Sequence, residues 1–219
     1  MEEKSVEFLF RARYYQLGRV DQRTRQVWFV LHGYGQLAQY FIKKFQCLEG
    51  QSIGVIAPEG LSRFYLSELT ETGRADNKVG ATWMTRENRI MDIENYTNYL
   101  DTLVETELKS FPQLPVTLLG FSQGCATVCR WAVKGNVRFD RLILWAGLFP
   151  PDIDFEAGNR ILSTKKTYMV AGDQDPFVTP ERIREFDQLS GRLGIHPEKI
   201  VFSGKHEIKD DVLDRLIDS

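Results

Sequence analysis

Five consecutive residues near the middle of the chain, Gly120-Phe121-Ser122-Gln123-Gly124, constrain its fold more than any other segment. The apolar run Val116 to Leu119 precedes them and is typical of a strand, whereas Cys125 to Val133 is typical of a helix. A serine placed between a strand and a helix lies in a very tight turn, and flanking glycines remove the side chains that would crowd it. The helix N-terminus also directs the Gln123 N–H toward this turn. The segment therefore predicts a nucleophile elbow with Ser122 at its apex.

Apolar runs and amphipathic segments alternate along the rest of the chain. The apolar runs predict strands at 27–31, 53–57, 116–119, 142–145, 167–171 and 199–202, and helices are predicted at 36–46, 87–111, 125–133, 180–193 and 208–217. Residues 6–15 alternate before Gly18, which is typical of antiparallel strands at a sheet edge, and 58–82 is irregular. This order predicts an α/β fold with a mostly parallel central sheet, helices on both faces and antiparallel N-terminal strands. No repeat or linker interrupts it, so we expect a single domain over residues 1–219.

Composition excludes several classes of protein. The 219 residues are 42% hydrophobic and 26% charged, with a formal net charge of −2, so a nucleic-acid partner is not expected. The charged start of the chain is not a signal peptide, and no apolar run reaches membrane-spanning length. Three cysteines, two of them four residues apart on one predicted helix, argue against a disulfide framework. We therefore expect a cytoplasmic protein that acts on a small molecule, and the sequence is compatible with a homodimer.

The three histidines can be sorted by their place relative to the predicted strands, because open parallel sheets carry their sites at the carboxyl ends of strands. His32 follows strand 27–31 and His206 follows strand 199–202, so both are candidates for a general base. His196 precedes that last strand and is expected at the opposite edge of the sheet. The nucleophile, acid and base of an elbow-type hydrolase follow one another in that chain order, which favours His206 as the base.

An acidic residue is then expected between Ser122 and His206. Asp173 and Asp175 both follow strand 167–171 directly, and both qualify from the sequence. A loop after an early strand must supply a second N–H for the oxyanion, and Tyr34 in His32-Gly33-Tyr34-Gly35 is our donor candidate beside Gln123. His32 is then expected to orient this loop. Such chemistry uses neither cofactor nor metal, and the zinc-like start His206-Glu207 lacks a second histidine at position 210.

These motifs together resemble the α/β-hydrolase fold, and more narrowly the phospholipase/carboxylesterase family that includes the acyl-protein thioesterases. The matching segments span nearly the whole chain in the family's order and are Leu31-His32-Gly33-Tyr34-Gly35, Gly120-Phe121-Ser122-Gln123-Gly124, Gly172 to Val178 and Gly204-Lys205-His206. The resemblance implies a serine esterase that cleaves carboxylic esters, or thioesters, and it favours Asp175 over Asp173 as the acid. The family's Trp-Phe element before the long helix has only Trp83-Met84 as its counterpart.

The substrate pocket is predicted from apolar residues near the strand ends. The candidates for lining it are Trp83, Phe121, Leu148, Phe149 and Phe177. Residues 147–165 lack a strong periodicity and could partly cover the site, and the acidic stretch 152–156 inside them is expected to be a solvated face.

Two other interpretations compete with a hydrolase. Gly33-Tyr34-Gly35-Gln36-Leu37-Ala38 fits a dinucleotide-binding pattern, with Glu59 near the place of a ribose-binding acid, which would indicate an oxidoreductase. The other interpretation is a non-catalytic protein of the hydrolase fold that binds a ligand or a partner.

Overall fold

The computed structural model describes residues 1–66 and 78–218. Nine strands lie in this part of the chain: β1 (Tyr14–Leu17), β2 (Gln26–Leu31), β3 (Ile53–Pro58), β4 (Ser62–Tyr65), β5 (Val79–Thr82), β6 (Val116–Phe121), β7 (Arg141–Trp145), β8 (Lys166–Gly172) and β9 (Glu198–Phe202). The helices are α1 (Ala38–Phe41), a 3-10 helix (Ile42–Leu48), α2 (Arg89–Leu108), α3 (Gln123–Lys134), α4 (Phe155–Leu162), α5 (Pro180–Arg192) and α6 (Asp210–Leu216).

Seven strands form the central sheet in the order β1-β3-β2-β6-β7-β8-β9. All neighbouring pairs are parallel except β1 and β3, which are antiparallel. Every residue of β2, β3, β6 and β7 is buried, because helices cover both faces of the sheet. The predicted α/β-hydrolase architecture, with a mostly parallel sheet and helices on both faces, is confirmed.

Two apolar layers hold the helices to the sheet. One layer joins the sheet to α2, α3 and α5, and includes Phe29, Trp131 and Phe186. The opposite layer joins it to α1, the 3-10 helix and α6, and includes Trp28 and Trp145. Both layers leave the carboxyl ends of the parallel strands at one edge, which is where ligands bind in open α/β sheets.

The structure differs from the sequence-based expectation in four segments. The N-terminal segment contributes one short antiparallel strand, β1, and residues 1–13 lie outside any strand. The helix predicted at 36–46 begins with only four α-helical residues and continues as a 3-10 helix. The segment 58–82 was predicted to be irregular, but β4 and β5 pair antiparallel within it, and its central part, 67–77, lies outside the described residues. Within 147–165, α4 begins after Asp154, whose carboxylate accepts the Ala157 N–H at 2.9 Å.

Candidate active site

Ser122 lies in a strained turn between β6 and α3. Its backbone angles are φ 54° and ψ −116°, a region that residues with a side chain rarely adopt. The Ser122 N–H donates to the Trp145 carbonyl at 2.9 Å, which ties the turn to β7. A Cβ at Gly120 would lie 2.3 Å from the Gly124 carbonyl oxygen, and one at Gly124 would lie 2.2 Å from the Leu31 carbonyl oxygen. Both glycines are therefore needed for the backbones to pass this closely, and the serine is held at the apex.

His206 and Asp175 meet in the loops that follow β9 and β8. Asp175 Oδ2 lies 2.7 Å from His206 Nδ1, and Asp175 is only 5% exposed. Its other oxygen accepts the Phe177 N–H at 2.9 Å, which fixes the carboxylate. Because an ionised carboxylate can only accept, the proton sits on Nδ1 and leaves Nε2 of His206 as an acceptor.

Asp173, the other candidate acid, has a different partner. Its carboxylate is exposed and accepts the Gly204 N–H at 3.0 Å. It thus holds the loop that carries His206 without touching the imidazole ring. Of the two aspartates that the sequence left open, the structure brings only Asp175 to the histidine. His196 is exposed and precedes β9, at the sheet edge opposite this site.

The ring of His206 is held between two aromatic side chains. It packs between Phe121, with ring centroids 4.8 Å apart, and Phe177, at 5.0 Å. Phe121 immediately precedes the serine, so the imidazole rests against the elbow itself. Within the described residues, neither the Ser122 hydroxyl nor His206 Nε2 has a hydrogen-bond partner.

Two unpaired N–H groups flank the serine. A Cβ at Gly33 would lie 3.1 Å from Ser122 Cβ, so the loop after β2 is in van der Waals contact with the elbow. The Gly33 N–H donates to the Gln36 side chain at 2.9 Å. By contrast, the N–H groups of Tyr34 and Gln123 have no partner among the residues that the structure describes. Their freedom is what an oxyanion site requires.

His32 fixes the loop that carries Tyr34. Its ring is fully buried, and Nε2 accepts the Gly60 N–H at 3.0 Å, so Nδ1 carries the proton that it donates to the Gly33 carbonyl at 2.8 Å. Burial lowers the pKa of His32 and keeps the ring neutral. The Gly33 carbonyl and the Tyr34 N–H belong to the same peptide group. The hydrogen bond from His32 therefore sets the plane in which the Tyr34 N–H points.

A cavity of about 290 Å³ opens beside Ser122. Three of the apolar candidates from the sequence line it, namely Leu148, Phe149 and Phe177. The prediction for the other two has to be corrected. Trp83 is 2% exposed, lies 5.0 Å from the His32 ring and donates its indole N–H to the His32 carbonyl, so it supports the loop that carries Tyr34. Phe121 is also buried and packs behind His206.

Charged residues complete the cavity wall, and sequence patterns did not single them out. Arg130 on α3 and both Arg182 and Glu185 on α5 line it. Arg130 pairs with Asp152 at 2.7 Å, and Arg89 pairs with the same carboxylate at 3.0 Å. Burial alone would raise the pKa of Asp152, but the hydrogen bonds from Arg130 lower it overall. Asp152 is exposed, as expected for the stretch 152–156, but its carboxylate is also held by these two arginines. The signal that could have revealed Arg130 is its spacing from Gln123, which places both on one helix face.

The dinucleotide interpretation meets a structural obstacle. In that interpretation the N-terminus of α1 would receive a pyrophosphate and Glu59 a ribose. Instead, the buried Glu59 carboxylate accepts the Ala38 N–H at 3.1 Å and binds Arg13 at 2.7 Å. The Glu59 carboxylate thus occupies the N-terminus of α1, where the pyrophosphate would have to bind. In residues 1–66 and 78–218, no three His, Cys, Asp or Glu side chains converge to hold a metal ion, and no helix is long and apolar enough to cross a membrane.

Several solved structures share this fold. The acyl-protein thioesterase 2 of Zea mays is 18% identical with a TM-score of 0.70, over 94% of this chain and 96% of that one. A carboxylesterase from Mesorhizobium loti is 17% identical with a TM-score of 0.67, over 94% and 93% of the two chains. Esterase PE8 is 19% identical with a TM-score of 0.66, over 94% and 96%. At such identities the likeness establishes the α/β-hydrolase fold.

No curated protein matches the chain significantly in sequence. A family model does match it, that of the serine hydrolases named FSH1, over residues 24–208. The matched range contains the elbow, both aspartates and His206, and it covers most of the sheet. The relationship to α/β-hydrolase esterases expected from the motifs is confirmed at the level of fold and serine hydrolase family, and the chain belongs to the FSH1 family of serine hydrolases.

Proposed function

We propose that this serine hydrolase cleaves carboxylic esters through Ser122, His206 and Asp175. The observation that carries the proposal is the 2.7 Å pair between Asp175 and His206, whose ring packs on the residue before Ser122. Three separate strand ends supply the three groups, and no element of packing requires a buried carboxylate at this place. A hydrogen-bonded acid and base beside a strained serine support nucleophilic catalysis.

In the proposed mechanism, His206 Nε2 takes the proton of the Ser122 hydroxyl while the serine oxygen attacks the ester carbonyl carbon. Asp175 holds the Nδ1–H tautomer and stabilises the imidazolium that forms. The N–H groups of Tyr34 and Gln123 bind the oxyanion. His206 then gives its proton to the leaving alcohol, and an acyl-enzyme remains. Water, activated by the same histidine, releases the acid. No hydrogen bond joins Ser122 and His206 among the described residues, and in enzymes without substrate such catalytic hydrogen bonds are often long and tighten on binding.

Another nucleophile near the elbow can be set aside on physical grounds. Cys125 is fully buried one turn into α3, and its thiol contacts the Gly120 carbonyl at 3.0 Å. Burial raises the pKa of this thiol strongly, so no thiolate forms at neutral pH. Cys47, Cys125 and Cys129 are all free thiols, which supports the expected cytoplasmic location.

The size of the cavity supports a small acyl group. A volume of about 290 Å³ lies at the lower end of small-molecule sites. Phe177 lines the cavity and is exposed, so it offers an apolar contact to the alcohol or thiol that leaves. The same chemistry serves thioesters, and the maize protein of similar fold is named a thioesterase. We therefore propose carboxylic esters first and thioesters as a second substrate class.

The first test is hydrolysis of p-nitrophenyl esters of increasing acyl length by the protein and by Ser122→Ala. We expect turnover to fall at least about 10⁴-fold in the variant. Ser203→Ala is the matched control, because Ser203 is an exposed serine in the loop that carries His206. A fluorophosphonate probe, with the modified peptide identified by mass spectrometry, should label Ser122 alone.

The same two measurements distinguish an esterase from a non-catalytic protein of this fold. A binding protein of this fold would stay unlabelled by the probe and would turn over no ester or thioester while remaining folded. Equal turnover by Ser122→Ala and the unmodified protein would contradict the assignment of the nucleophile.

A further inference from the structure

Arg130 is a buried cation in the wall of the cavity beside Ser122. Its side chain is 8% exposed, and it lies on α3 with Gln123 and Ala126, which line the same cavity. Spacings of three, four and seven residues put these side chains on one face of a helix. A charged side chain is rarely buried without a set of partners that satisfies it. The partners of Arg130 therefore indicate whether the protein itself satisfies its charge and its N–H donors.

The hydrogen-bond donors of Arg130 are only partly used. Nε and Nη2 donate to Asp152, and Nη1 meets the Met84 sulfur at 3.4 Å, a weak acceptor, while the buried Tyr96 hydroxyl also lies close to the guanidinium. A guanidinium has five N–H donors; three are directed at Asp152 and Met84 and a fourth can reach Tyr96, so at least one has no acceptor among the described residues. Asp152 is also shared with Arg89 at 3.0 Å. One carboxylate thus serves two guanidinium groups.

The opposite wall does not supply the missing anion. Arg182 and Glu185 line it from α5, one turn apart, and both are exposed. Neither forms an ion pair with any residue that the structure describes. Together with Arg89, Arg130 and Asp152, these groups carry a net charge of +1. The cavity therefore has an excess of positive charge, and its most buried cation, Arg130, has at least one free N–H donor.

We propose that the cavity binds an acyl group that ends in a carboxylate, so that the preferred substrates are monoesters of short dicarboxylic acids. Arg130 would bind the free carboxylate, while the ester carbonyl lies at Ser122. Two helical turns separate Gln123 from Arg130, about 10 Å along α3, and the arginine side chain leans back toward the elbow. That geometry leaves room for a short chain between the two ends. Arg130 is thereby a specificity-determining residue.

This inference rests on the proposed esterase for its kinetic test but not for its binding test. In the binding test, calorimetry compares succinate, glutarate and adipate with butyrate, pentanoate and hexanoate, which are monocarboxylates of equal length. We expect the best dicarboxylate to bind at least about tenfold more tightly than its monocarboxylate. Arg130→Gln should weaken this binding roughly 10- to 100-fold, as expected for a charge-assisted hydrogen bond in a buried site.

Arg89→Gln is the matched control. It removes the same charge from the same carboxylate, but Arg89 does not line the cavity. We expect it to weaken binding less than about fivefold, as for a partly exposed ion pair. Equal losses in Arg89→Gln and Arg130→Gln, or equal binding of adipate and hexanoate by the unmodified protein, would overturn the proposal. If Arg130→Gln does not fold, Arg182→Gln still tests it, because loss of this exposed cation should weaken only the dicarboxylates, and more so at low salt.

In the kinetic test, the ratio of kcat/KM for mono-p-nitrophenyl adipate to that for p-nitrophenyl hexanoate should exceed one and fall at least about tenfold in Arg130→Gln. A ratio below one in the unmodified protein would refute the carboxylate subsite and leave the esterase proposal intact. Tight adipate binding without turnover of any ester would support the carboxylate subsite and contradict the esterase proposal.

Discussion

Replacing Asp175 by asparagine tests the proposed site most directly. Asparagine keeps the size of the side chain, and its amide oxygen can still accept the Phe177 N–H that fixes the loop. Its amide nitrogen then faces His206 Nδ1, where the carboxylate oxygen lies at 2.7 Å in the unmodified protein. An amide N–H donates, so Nδ1 must become the acceptor and the proton moves to Nε2. The nitrogen that should receive the serine proton is then already protonated.

The expected loss is large because it combines two effects. The histidine takes the wrong tautomer, and the imidazolium that forms in the transition state loses a buried negative partner. In a triad of this kind the change costs about 10⁴ in kcat, or about 5.4 kcal/mol at about 1.36 kcal/mol for each factor of ten. We would measure kcat and KM on a p-nitrophenyl ester and expect nearly the whole loss in kcat.

Asp173→Asn is the matched control two residues away. Its amide oxygen can still accept the Gly204 N–H, and the position is exposed. A surface change of this kind alters free energies by about 0.5 kcal/mol or less, so activity should stay within about twofold. The reasoning is refuted if Asp175→Asn, folded by circular dichroism, keeps more than a tenth of the activity, or if both variants lose activity alike.

Three further outcomes are expected. Gly124→Ala should lower the free energy of unfolding by roughly 1–3 kcal/mol and reduce kcat, because the new methyl group would lie 2.2 Å from the Leu31 carbonyl oxygen. Urea unfolding measures the first effect and an ester assay the second. Because burial lowers the pKa of His32, the unfolded chain takes up a proton below about pH 6.5 that the folded chain does not, and the free energy of unfolding therefore decreases as the pH is lowered through this range. In His32→Phe, the free energy of unfolding measured between pH 7.5 and 5.5 should lack this contribution to its pH dependence. Arg141→Met should cost about 3 kcal/mol in urea unfolding, because the buried guanidinium donates to carbonyls at the end of α6, and a loss below 0.5 kcal/mol would contradict that role.

The central sheet could be predicted from the sequence because its strands are buried on both faces. Continuous apolar runs such as Val27 to Leu31 leave little ambiguity when turn signals bound them. Chain order and strand ends then bring Ser122, an aspartate and His206 to one edge. The same reasoning could not decide which of Asp173 and Asp175 is the acid that contacts His206. Their roles differ by the direction of a side chain in a turn, which no periodicity encodes.

Contacts between distant segments could not be predicted. The pair of Arg130 and Asp152 joins α3 to a loop, and its members are 22 residues apart. Trp83 seemed suited to a pocket because it is large and apolar, yet its indole N–H is satisfied by the His32 carbonyl. Helix α4 begins at a capping aspartate with only eight residues, too few to show a clear period. Such features arise from tertiary packing rather than local preference.

The loop that carries Tyr34, the proposed oxyanion donor, is held by close backbone contacts on two sides. Gly124 lies under the Leu31 carbonyl, and a Cβ at Gly80 would lie 2.5 Å from the Gly35 carbonyl oxygen. The cavity walls at 148–151 and at 182, 183 and 185, by contrast, would meet the proposed acyl group through side chains. We therefore expect inherited variation, or a laboratory library, to change which acid is accepted by altering those walls, while changes at the glycines should lower both stability and kcat. Selectivity and chemistry can evolve separately in this protein because different kinds of contact support them.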